Sequence, residues 1–183
     1  MDRNQDNPEH SPILFEHSLQ AFFFDQLHEL NQKSVTPIPG EMVYYSSLVM
    51  DKYGASANYF EEDDEGRVKE KLLGMKLLES GRFKGKKKKN ELKEIGDTAL
   101  ILCGYFSDSI GRKFVDTSYY TSVGKTAYSH LDSLVPEAYD IPQFFSKVSK
   151  SFESMMSLMG IVSSHFQNQF EEGTILLVGN SKS

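Results

Sequence analysis

The sequence predicts an all-α fold, a compact bundle of about six helices around a largely buried central helix over about residues 90–109. Three observations predict it. Apolar residues recur at spacings of three and four along most of the chain, which places them on single helical faces. Proline and glycine punctuate those stretches at intervals that suit helix ends. The 183 residues are 39% hydrophobic with 22 aromatics (13 Phe, 9 Tyr, no Trp), enough to bury a sizeable core without disulfides. The single cysteine, Cys103, cannot form an internal disulfide and sits in an apolar run, so it reads as a small buried thiol.

Residues 1–12 are polar and carry Pro8 and Pro12, the composition of a loose arm preceding a single helical domain over 13–172 and a tail over 173–183. The first helix is expected over Ile13–Gln32, with Phe15, Leu19, Phe22, Phe23, Leu27 and Leu30 on one face. Pro37, Pro39 and Gly40 end it. A second helix follows over Glu41–Tyr53, with Met42, Tyr45, Leu48 and Val49 inward and Gly54 as its stop. The third is expected over Arg67–Ser80, with Val68, Leu72, Met75 and either Leu77 or Leu78 inward.

Gly81–Lys89 reads as an exposed loop, and Asn90 as the cap of the fourth, central helix, with Glu91 and Glu94 in the turn where the dipole favours negative charge. A buried strand over Thr98–Phe106 is the rival assignment, because short apolar runs lack a deciding period. Asp116 is a plausible cap for a helix over Thr117–Leu134, stopped by Pro136. The sixth helix carries Phe145, Val148, Phe152, Met155, Met159, Val162 and Phe166 at alternating spacings of three and four, a seam for neighbouring helices or for a second copy of the chain. The tail TILLVGNSKS suits a short strand or a docked end.

Charge is distributed unevenly. Residues 1–65 carry 3 basic and 13 acidic side chains, residues 66–131 carry 14 and 7, and residues 132–183 carry 3 and 6. The basic middle creates a local field that the net charge of −6 conceals. Lys84, Lys86, Lys87, Lys88 and Lys89 are its densest part and the candidate anion contacts, and the acidic block Glu61–Glu65 is close enough in sequence to screen them. The start lacks a basic n-region followed by an apolar stretch, and no apolar run approaches the ~20 residues a membrane span requires. A cytoplasmic location and no membrane span are therefore expected.

The motifs that carry chemistry are absent or incomplete. Val123–Thr126 reads VGKT, but Tyr119 stands where a phosphate-binding loop needs its first glycine. Asp25 and His28 resemble half of a di-iron motif without a second half, and His17 and His28 are roughly 16 Å apart on one helix, too far for one ion. No G-x-S-x-G elbow occurs. No catalytic residue, metal ligand or cofactor is assigned. The basic stretch lacks interleaved aromatics for base stacking apart from Phe83.

Gly96 and Asp97, Gly104–Phe106, Arg112 and Lys113, Tyr119 and Tyr120, Gly124, Ala127 and Tyr128 form a pattern that resembles an uncharacterised family of bacterial cytoplasmic helical proteins. A fainter likeness extends to the first helix and Tyr44–Leu48. The resemblance implies a bacterial, mainly helical protein and no particular substrate. Physically, Gly104 and Gly124 permit close helix approach, and Asp97 in an apolar helix needs a partner such as Arg112 or a tyrosine hydroxyl. Asp97, Arg112, Tyr119, Tyr120 and Tyr128 are accordingly a polar network or the lining of a small pocket. The functional expectation is a non-catalytic interaction or regulatory protein with a protein partner or a second copy of itself. The alternatives are a nucleic-acid-binding protein using a basic loop over 82–93, and a ligand sensor or enzyme built around Asp97 and Arg112.

Overall fold

The computed structural model describes residues 13–16, 18–54, 70–106, 117–171 and 175–178. Ile13–Glu16 is not helical but forms a strand, β1, and the first helix starts later, where Ser18 is extended and its Oγ accepts the Ala21 N–H at 3.0 Å. Helix α1 (Leu19–Lys33) buries Phe22, Phe23 and Leu27. Beyond it Asn31 grips the proline-containing connection, donating from Nδ2 to the Ile38 carbonyl and accepting the Ile38 N–H, both at 2.9 Å. Helix α2 (Gly40–Gly54) turns Met42, Tyr45, Val49 and Tyr53 inward, with Val43 and Met50 buried beside them.

Helix α3 (Glu70–Ser80) corrects the expected face. Leu73 is buried and Leu77 partly so, whereas Met75 is 55% and Leu78 81% exposed. Leu73, Leu77 and Ser80 are spaced as i, i+4 and i+7, so Met75 and Leu78 fall outside the stripe that meets the core. The expected Val68 and Leu72 contacts lie outside the described side chains.

A second correction concerns the basic run. The chain turns at Gly81 and re-enters a helix at Gly85, with extended Lys84 as an N-cap whose side chain makes no capping bond. Lys86–Lys89 therefore form the first turns of helix α4 (Gly85–Cys103) instead of a loop, and Asn90 lies within the helix. Lysine is a good helix former, and the helix, once anchored by its buried half, tolerates the unfavourable dipole contact at its end. Leu92, Ile95, Asp97 and the run Ala99–Cys103 are buried, which makes α4 the central helix and settles the helix-or-strand ambiguity. It ends at Cys103, short of the expected 109, where Gly104 leaves helical geometry.

Helix α5 (Thr117–Leu134) has the expected bounds; Asp116, its expected cap, lies outside the described residues. A two-residue hairpin follows, β2 (Glu137–Ala138) pairing antiparallel with β3 (Ile141–Pro142). Tyr139 and Asp140 both have positive φ, the conformation that matches a tight turn to the strand twist. The expected sixth helix is divided at Ser151 into α6 (Phe144–Lys150) and α7 (Phe152–Glu171), giving seven helices among the described residues. Bonds from Ser151 N–H to the Lys147 carbonyl and from Met155 N–H to the Ser151 carbonyl, each 2.9 Å, carry the ladder across the joint. The seam from Phe145 to Val162 is buried within the chain and Phe166 packs at its end, so that face is already occupied. Strand β4 (Ile175–Val178) returns to pair parallel with β1, Ile13 opposite Ile175.

Helix α4 contacts α2, α3, α5 and α7. It meets α5 so closely that a methyl group on Gly124 would lie 2.9 Å from Ala99 Cβ and 2.6 Å from the Phe152 ring. Among the described residues no helix is long and apolar enough to cross a membrane.

Candidate functional site

Asp97 has no exposed surface, although it carries a carboxylate in the most apolar half of the central helix. Such a group persists only with compensating partners. Its Oδ1 accepts hydrogen bonds from the hydroxyls of Tyr45 on α2 at 2.6 Å and Tyr128 on α5 at 2.8 Å. Its Oδ2 accepts from Lys93 Nζ, one helical turn earlier, at 2.6 Å, with Lys52 Nζ of α2 at 3.9 Å. One carboxylate thus ties together α2, α4 and α5.

The approach of Tyr128 depends on Gly96: a Cβ there would stand 2.7 Å from the Tyr128 ring. Around the phenols lies an aromatic shell, with Phe144 edge-on to Tyr45 at 5.2 Å and Phe145 stacked on Tyr128 at 6.0 Å. Lys93 Nζ also sits 5.1 Å above the Tyr45 ring. Towards solvent, Tyr53 donates to Glu94 Oε1 at 2.7 Å, Lys52 bonds the other Glu94 oxygen, and Thr98 lies 3.2 Å from the Tyr53 hydroxyl.

The electrostatics follow from this placement. Burial, reinforced by the adjacent Asp97 charge, drives the phenols of Tyr45 and Tyr128 well above the ordinary tyrosine value, so both remain protonated donors. Burial pushes Tyr53 up to about 12. For Lys52 and Glu94, partial burial opposes ionisation, but their mutual bond and the Tyr53 hydroxyl outweigh it: the lysine is raised and the carboxyl lowered. A general base needs an accessible lone pair. Asp97 spends its oxygens on two phenols and an ammonium group, an arrangement that fixes helices relative to one another.

Of the residues expected to form the network, the structure brings Asp97 and Tyr128 together. Neither Tyr119 nor Tyr120 is a partner of Asp97: Tyr120 is buried elsewhere on α5, and Tyr119 is 39% exposed and lies across α3. Arg112 and Lys113 lie outside the described residues. A tyrosine hydroxyl does serve Asp97, and so does Lys93, which the i, i+4 spacing on one helix makes legible in the sequence. Tyr45 is 52 residues away in sequence and has no local signature.

The other candidates resolve into packing and surface pairs. Cys103 is buried and its thiol pushed up to about 11 by that burial, which leaves it a poor nucleophile. Lys125 of VGKT lies inside α5 and pairs with Glu153 at 2.6 Å. His28 stacks on Phe24 and bonds Gln32 at 2.9 Å. Among the described residues no group of three or more His, Cys, Asp or Glu side chains is arranged to hold a metal ion.

Lys84, Lys86, Lys87 and Lys89 are exposed and Lys88 half-buried. Lys87 Nζ lies 4.0 Å above the Phe83 ring. No family model, curated protein or solved structure matches this chain, so the family resemblance rests on the quoted residues alone.

Proposed function

We propose that this chain is a non-catalytic interaction protein of the bacterial cytoplasm and that it meets an acidic partner through the corner where α3 turns into α4. One observation carries the reading. From Leu73 to Asn90 seven basic side chains (Lys76, Arg82, Lys84 and Lys86–Lys89) stand against one acidic side chain, Glu79. None of the seven forms an ion pair among the described residues. Concentrated like charge destabilises a fold through self-repulsion, and an external anion relieves it. The absence of any exposed oxygen on Asp97 supports the non-catalytic half of the reading.

Heparin chromatography tests it. The wild-type chain is expected to be retained and to elute at higher salt than a variant with Lys84, Lys86, Lys87, Lys88 and Lys89 all changed to Gln. Equal elution of the two, with both folded, removes this surface as the contact.

A further inference from the structure

We infer that the acidic partner of the α3–α4 corner is an anionic phospholipid surface. The inference rests on the interaction reading above and adds an apolar component that charge alone does not require. Seven large hydrophobic residues are exposed among the described residues, and three of them, Met75, Leu78 and Tyr119, lie on or against α3. The Tyr119 hydroxyl occupies the place of a Cβ on Gly74, 2.1 Å from where that atom would stand. Gly74 and Leu78 are one turn apart, so Tyr119, Met75 and Leu78 make a continuous strip along the outside of α3. The strip ends at the turn in which Gly81 N–H bonds the Leu78 carbonyl at 3.2 Å, and three residues later the lysines begin.

This juxtaposition distinguishes lipid from other polyanions. A nucleic acid presents phosphates and stackable bases, and neither gains from contact with Leu78 or Met75. A bilayer presents phosphates above an apolar layer. Lysine ammonium groups reach the phosphates while their stems lie along apolar surface, and leucine and methionine enter the acyl boundary. No described helix is able to span the membrane, so the contact is a docking of the surface.

The test is cosedimentation at low salt with phosphatidylcholine vesicles that contain or lack phosphatidylserine, run beside heparin elution. The chain is expected to sediment only with phosphatidylserine. Each lysine near an anionic surface contributes about five-fold, so the five Lys→Gln changes together lower binding on the order of 1,000-fold. Met75→Gln with Leu78→Gln is expected to lower vesicle binding about ten-fold without moving the heparin elution, because these side chains serve only the lipid contact. Both are exposed, and circular dichroism checks that the variant folds.

Vesicle binding indifferent to Met75→Gln and Leu78→Gln overturns the lipid proposal in favour of a polyanion such as nucleic acid, and leaves the interaction reading intact. Heparin retention without any vesicle binding has the same meaning. If vesicles bind only after Glu61, Glu62, Asp63, Asp64 and Glu65 are changed to their amides, the occupant of the corner is the chain's own acidic block and the proposal fails.

Discussion

Replacing Asp97 with Ala isolates the cost of the buried network. The substitution removes the acceptor of two phenols, Tyr45 and Tyr128, whose residues are 1% and 0% exposed, so neither hydroxyl is able to turn to water. Each stranded donor costs about 1–3 kcal/mol. Lys93, 37% exposed in its side chain, reorients to solvent and adds little. The expected loss is therefore about 3–5 kcal/mol, the middle of the range for two such donors. For a chain of this size that lowers the melting temperature by roughly 6–20 °C. Equilibrium unfolding in urea followed by circular dichroism measures it, with similar m-values required of each variant. The decisive comparison is with the triple variant Asp97→Ala, Tyr45→Phe, Tyr128→Phe. Removing donors together with acceptor eliminates the stranded groups, so the triple is expected to recover about 2–4 kcal/mol relative to Asp97→Ala. A single variant within about 1 kcal/mol of wild type, or a triple no more stable than the single, refutes the argument.

Two further outcomes follow from the same geometry. The folded-state phenols of Tyr45 and Tyr128 are raised above the ordinary value of 10, so their contribution to stability is complete below that pH and is lost as pH rises through the raised values. Spectroscopic tyrosinate titration is expected to show Tyr53 ionising at about 12 in the folded chain and Tyr45 and Tyr128 only with unfolding, while a single wave near 10 in a still-folded chain contradicts this. Gly96→Ala places a methyl group 2.7 Å from the Tyr128 ring; overpacking of about 1–3 kcal/mol is expected to exceed the helix-propensity gain of up to ~1 kcal/mol, and a stabilised variant in thermal melts argues against the close approach.

The one-dimensional pattern carried the helical class, the inward seam from Phe145 to Val162 and the bounds of α5, because each depends on neighbours within one or two turns. It also carried the need of Asp97 for a partner and the suitability of a tyrosine hydroxyl. The position of β1 was not legible: Phe15 fits a helical face, and only the parallel pairing with the far end of the chain makes it a strand. Nor did the lysines declare their helix, since their local charge argues for a loop and the buried half of α4 overrules it. Met75 and Leu78 show the same limit, because hydrophobicity is intrinsic to a side chain while exposure depends on which face of α3 the core helices meet. The tertiary structure alone selected Tyr45 for Asp97 across 52 residues, because that contact exists only after three helices have packed around a glycine.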